Sequence, residues 1–456
     1  MTPPLAERKR IELEQKLVEL ETEFADWLRM SGSGAPFERH YTQIRAITSG
    51  LREFAAGIQG ELDAARQPEE ILSAARNIQS LILAVRRMWE YFRSKWVQRR
   101  DDKFRDYLRA ADELAWSFYE PVLRHLCPAP VSPCRREPPL VFLNGGISPF
   151  AVSRGKAFQA EQVIGEGFPE DRRLRQYLRQ IPISVIGVPW FQVCHLPDAL
   201  VLAHETGHTV EADFSLHDEL DRKFSAISPA WQAWQREVFA DLYGCLVMGP
   251  PFLGTLIDFL AVDRVTVATE FRSAPEWNDY PTAALRILLC AAALKELGFE
   301  SESAVLKAYW TVEFPRHALS AYEKQFDAVI ADTLTKPLSS LNAAFAAIPD
   351  LRFTRDHLTE ANATAESLGN GSIPDTSSIR VLFAGMRVLF ESNPAATLAS
   401  EVNRNPAALL LKRFDQIAQP GTRDSEEALD QGQLDALSKQ SKVWGRMLFE
   451  QRHDQV

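Results

Sequence analysis

No stretch of this chain reaches 18 uninterrupted apolar residues, and the opening MTPPLAERKRIELEQ has no apolar core of the kind a secretion signal carries. A membrane span and a cleaved leader are therefore not expected, and the chain reads as soluble and cytoplasmic, with no membrane partner. Cysteine is scarce: Cys127, Cys134, Cys194, Cys245 and Cys290 are five in 456 residues, odd in number and scattered. That usage excludes a small disulfide-stapled fold and suits reduced thiols in a core. Cys127 and Cys134, in CPAPVSPC, could close a disulfide or bind a metal, but their spacing matches no common zinc template and they read as linker residues. Basic charge is in deficit, with 51 Lys and Arg against 61 Asp and Glu, which argues against a nucleic-acid partner. An internal repeat of fixed period is also absent.

What is present is an ordinary globular composition, 46% apolar and 25% charged, in a chain long enough for two or three domains. Residues 1–126 carry apolar positions at spacings of three and four: Leu13, Leu17, Leu20, Phe24 and Trp27, then Leu51, Phe54, Ile58 and Leu62, and two further sets. They predict a helical bundle whose aromatics form its core. The basic cluster Arg93, Lys95, Arg99, Arg100 and Lys103 reads as a solvated helix face. Residues 127–139 hold five prolines in thirteen positions and mark a linker. From 140 the stretch PLVFLNGGISPFAVS predicts a strand, a glycine turn and a second strand, and IPISVIGVPWF at 181–191 another. Residues 140–312 form the central region, and 313–456 are almost entirely helical, with breaks at 369–374 and 419–427.

The centre of the chain is LPDALVLAHETGHTVEA, at 196–212, which holds His204, Glu205 and His208 as HExxH. Residues four apart on a helix lie about 40° apart around its axis, so both imidazoles project from one face and can share a tetrahedral metal ion, zinc. Glu205 stands one residue after the first histidine, where its carboxylate reaches a water at the metal without being a ligand, as a general base must. The apolar Ala199–Ala203 entry predicts a buried, rigid site. Downstream, WQAWQREVFADLYGCLVMG offers Glu237 as the third ligand and, four residues on, Asp241 to accept the other ring N–H of a bound histidine. Glu211, His217 and His195 also lie near. Glu211 would place every ligand on one helix, a poor way to surround a tetrahedral ion, and the two histidines read as structural.

HETGH followed 29 positions later by glutamate in an ExxxD pattern resembles the gluzincin class of zinc metallopeptidases. The resemblance implies that His204, His208 and Glu237 hold zinc, that Glu205 is the catalytic base and that Asp241 partners His204. Where the class usually has asparagine before the ligand glutamate, this chain has Arg236, so the partner of His208 is unassigned. A second stretch, Tyr280-Pro281 followed by Arg286, resembles the HPxxxxR of the heat-shock and CAAX-processing proteases, with tyrosine for histidine. The resembling segments cover roughly residues 180–295.

The expectation is a mainly α (α+β) protein: a zincin-like metallopeptidase core with a small sheet, flanked by N- and C-terminal helical regions. It would hydrolyse peptide bonds in a protein or peptide substrate through water activated by zinc. Tyr280, and after it Arg286, are the candidate donors to the oxyanion. Ser184, Val185, Ile186, Gly187 and Val188 are the candidate edge strand for pairing with an extended substrate. The helical flanks could hold the enzyme latent until an activating partner or ligand moves them. The competing expectation is a binding or scaffold module with a structural zinc site, against which an intact Glu205 argues.

Overall fold

The computed structural model describes residues 4–127, 137–154, 181–267, 280–314, 320–398, 405–418 and 430–450. Four long helices open the chain: α1 (Leu5–Met30), α2 (Tyr41–Ala64), α3 (Pro68–Val97) and α4 (Asp102–Leu126). Local chemistry sets their starts. Glu70 accepts from the backbone N–H groups of Arg66 and Gln67 at the head of α3, where Pro68 takes the first position, and Asp101 caps α4 by accepting from Lys103 N–H. The apolar stripe of α1 is buried against α2 and α3. There Trp27, Trp89 and Trp96 meet with centroids 5.6 to 6.2 Å apart.

The basic cluster at the end of α3 is not a uniformly solvated face, because Lys95 and Arg99 are buried. The Lys95 ammonium sits 3.2 Å from the Tyr91 ring centroid and donates to the Tyr91 carbonyl at 2.7 Å. Arg99 donates to Asp112 of α4 at 2.6 Å and to the Val141 carbonyl at 2.7 Å. Helical spacing cannot reveal partners supplied by a strand and a helix further along the chain.

Strands β1 (Leu140–Asn144), β2 (Phe150–Val152) and β3 (Val185–Pro189) form a sheet in the order β1-β3-β2. β3 runs parallel to β1 and antiparallel to β2. Alternation sends Leu140, Phe142 and Val185 into the core of α1–α3, and Val141, Leu143, Ile186 and Val188 into a second core. The sheet is thus a wall between two cores. This order corrects one expectation. β3 is central, with a partner on each side and all five residues buried, so Ser184, Val185, Ile186, Gly187 and Val188 offer no free edge to a substrate. Ser184 instead accepts from Arg154 N–H, and Gly187 leaves the space over which the Phe150 ring folds. Among the described residues β2 has no strand on its other side, whereas the outer backbone groups of β1 are taken by Gln98, Arg99 and Asp112.

The second core gathers α4 with α5 (Leu202–Asp213), α6 (His217–Ser225), α7 (Pro229–Met248), α8 (Pro250–Leu260), α9 (Ala283–Glu296), α10 (Glu300–Glu313), α11 (Arg355–Gly369), α12 (Ile379–Ser392) and α13 (Pro406–Ile417). The last helix, α14 (Gln431–Glu450), returns to α2, crossing so closely at Gly50 and Gly445 that a side chain at either would strike the other backbone or Trp444. The division between cores therefore falls between α3 and α4. In α12 the arginines are absorbed by partners: Arg387 pairs with Asp258 at 2.6 Å and Glu391 at 2.8 Å. No helix among the described residues is long and apolar enough to cross a membrane. Cys245 and Cys290 are free and buried and Cys194 is free and exposed, whereas Cys127 takes part in a disulfide and is not the plain linker thiol expected. Cys134, most of the proline-rich linker and the break at 419–427 lie outside the described residues.

Candidate metal centre

The helix expected to start at Pro197 begins as a 3₁₀ stretch over Leu196–Val201, and the α-helical α5 follows from Leu202 with His204, Glu205 and His208 buried. Ser228 caps α7 through the Trp231 N–H, with Pro229 at its first position. The two helices pack directly on each other. Their closeness depends on the glycine of HETGH: a Cβ on Gly207 would come to 3.0 Å from the Ala240 Cα. That approach carries Glu237 to the two histidines. His204 Nε2 lies 3.2 Å from His208 Nε2 and 3.3 Å from Glu237 Oε2, and His208 Nε2 lies 3.5 Å from Glu237 Oε1. Donors about 2.1 Å from a tetrahedral zinc stand about 3.4 Å apart. The three residues are thus spaced as one face of such a coordination shell, and His204, His208 and Glu237 form a possible metal-binding triad.

Behind the triad, Asp241 accepts from His204 Nδ1 at 2.8 Å, which turns His204 Nε2 toward the other donors. Arg286 grips the same carboxylate with Nε at 2.6 Å and Nη2 at 2.8 Å. Two of its nitrogens are therefore committed, and the arginine positions Asp241 where a free donor for the reaction was expected. Arg286 and His204 hold Asp241 well below the usual carboxylate range, outweighing the effect of its burial.

The charges of the triad follow from its burial and its hydrogen bonds. Burial works against a charged His204, yet its bonds to Asp241 and Glu237 prevail and raise it to about 10. Burial lowers His208 to about 4. Glu237 resists burial through His204 and His208 and falls to about 2. A protonated His204 thus supplies positive charge between two ionised carboxylates, the place where a metal cation would bind and displace that proton. Burial raises Glu205 to about 7, partly offset by His204.

His208 Nδ1 is buried without a hydrogen-bond partner, and so is Glu211 Oε2 one turn further on. Glu211 is not a ligand: its Oε1 accepts from His217 Nδ1 at 2.9 Å and Gln235 Nε2 at 3.1 Å. It acts on His208 through its charge. His217 is held by that bond, and His195 lies 3.4 Å from Asp198 and edge-on to Phe390, so neither approaches the triad.

The triad opens on a cleft of about 760 Å³. One wall is Ser148–Ser153, which contains β2; the others are α5, α7 with Arg236, and Phe252, Thr255, Leu256 and Phe259 of α8. Tyr280, half exposed, lines it beside Glu205 and Glu237, while β3 does not reach it. Ser153 donates to the His208 carbonyl at 3.2 Å and ties the β2 wall to the histidine helix. The second strand expected after the glycine turn is β2, but sequence reasoning did not place it, Ser153 or the α8 wall at the site. No protein family, curated protein or solved structure matches this chain in comparisons of its sequence and fold.

Proposed function

We propose that the chain is a zinc-dependent metallopeptidase of gluzincin type, hydrolysing peptide bonds in a protein or peptide substrate. The observation that carries the reading is the coincidence of three donors at 3.2 to 3.5 Å with a buried carboxylate, Glu205, on the wall of one cleft. His204, His208 and Glu237 would hold zinc, which would supply Lewis acidity for the reaction. Glu205, raised by burial to about 7, would take a proton from the attacking water and pass it to the departing amine. Asp241 and Arg286 keep His204 in the tautomer that presents Nε2. The Tyr280 hydroxyl is the donor to the carbonyl oxygen, a contribution of about 3 kcal/mol in comparable sites. An extended substrate aligns along β2, whose outer side has no strand partner among the described residues, in place of β3. The helices outside this core are where an activating partner or ligand would act.

The test is full-length protein incubated with a proteome-derived peptide mixture, with new peptide ends mapped by mass spectrometry. Wild type should bind one zinc and generate new ends, whereas Glu205→Gln should retain zinc and lose cleavage by at least a thousandfold. Equal activity of the two, or a zinc-loaded wild type that cleaves nothing, would remove the enzymatic reading in favour of a structural zinc site.

A further inference from the structure

Next to the third ligand stands an arginine that the proposed reaction leaves without a task. Arg236 lines the cleft with its side chain half exposed, close enough to His208 and Tyr280 for its charge to act on both. Its Nε lies 3.6 Å from Glu211 Oε2, while the other oxygen of that buried carboxylate is taken by His217 and Gln235. The buried Glu211 charge therefore attracts the guanidinium from its Nε side, at ion-pair distance and without a hydrogen bond. Among the described residues the terminal nitrogens Nη1 and Nη2 make no hydrogen bond, and the guanidinium comes nearest to a carboxylate at Nε. Among the described residues, Arg286 is the other arginine of the cleft and is bound through two nitrogens to Asp241, and no lysine lines the cavity.

An arginine attracted from its Nε side with its two terminal nitrogens available is a planar fork that matches a carboxylate in a two-point contact. From this arrangement we infer that Arg236 is a specificity residue holding a substrate carboxylate beside the bond to be cut. The carboxylate is either the C-terminus of a peptide or an acidic side chain. This assignment rests on the peptidase reading for its substrate class, and its test is separable from that reading because it is made on binding.

The full chain with Glu205→Gln, loaded with zinc and immobilised, is offered a pool of hexapeptides in three forms: free C-terminus, amidated C-terminus, and amidated with every Asp and Glu replaced by Asn and Gln. Retained peptides are counted by mass spectrometry. Carboxylate-bearing forms should be enriched at least tenfold over the fully amidated neutral pool, the size of one charge-assisted contact. Enrichment of the first form alone assigns the C-terminus, and of both carboxylate forms an acidic side chain. Adding Arg236→Gln should erase the preference, and Arg236→Lys should restore part of it, with zinc content unchanged in both. No preference in the parent, a preference that survives Arg236→Gln, or loss of zinc in that variant overturns the assignment. If the preference holds while wild type produces no new peptide ends, Arg236 stands as a carboxylate site and the peptidase reading falls.

Discussion

Glu205 is a carboxylate placed where its charge is costly, and that cost is measurable without any substrate. In the metal-free chain burial raises it from 4.5 to about 7. Between those values the unfolded chain has given up the proton and the folded chain still holds it, so folding stability from this group falls as pH rises through that window and is flat above it. The span of about 2.5 units corresponds to about 3 kcal/mol. Chelator-treated Glu205→Gln should therefore be more stable than chelator-treated wild type at pH 8 by up to about 3 kcal/mol, with the advantage shrinking toward pH 5. Urea denaturation midpoints at the two pH values measure it, and a gap independent of pH would mean that Glu205 ionises freely. The place of the same residue was legible in the sequence because it depends only on an offset of one from His204 within a helix. For Arg286 the sequence left two parts open, a donor to the oxyanion and a core salt bridge to Glu237 or Asp241, because a bond that spans 45 positions of chain is not fixed by local spacing; the structure has the bond to Asp241.

The crossing of α5 and α7 is what turns two separated motifs into one centre. It rests on Gly207 against Ala240. A methyl group at Gly207 must push backbone aside by a few tenths of an ångström, and Glu237, one turn before Asp241 on the same helix, moves with it. Gly207→Ala should weaken zinc binding by at least tenfold, read by competition with a chromophoric chelator, while overpacking costs about 1 to 3 kcal/mol of stability. Unchanged zinc affinity would separate the crossing from the metal site. At this scale the sequence is informative about elements and poor about their order. Leu140–Asn144, Phe150–Val152 and Val185–Pro189 could be read as strands from their β-branched residues and turn signals. Whether Val185–Pro189 lies at an edge or in the middle depends on Leu140–Asn144 pairing across more than forty residues, which no local pattern records. The N-terminal helices were plain from their apolar spacing; the burial of Lys95 and Arg99 was not, because their partners Phe142, Asp112 and Val141 come from later in the chain.

Across the whole molecule the two cores are joined by a buried ion pair as well as by the sheet. Asp112 accepts from Arg99 and from the Val141 N–H, so it ties the end of α3 to α4 and to β1 at one point. Asp112→Ala would leave Arg99 buried without its counter-charge, a loss of about 3 to 5 kcal/mol for such pairs. Denaturant unfolding should register that drop, and a change below about 1 kcal/mol would mean that water reaches Arg99. The shared sheet also joins the first helices to the cleft through one continuous path of contacts: Leu140 and Phe142 of β1 lie in the core of α1–α3, β3 links β1 to β2, and Ser153, the residue after β2, donates to the His208 carbonyl on the wall of the cleft.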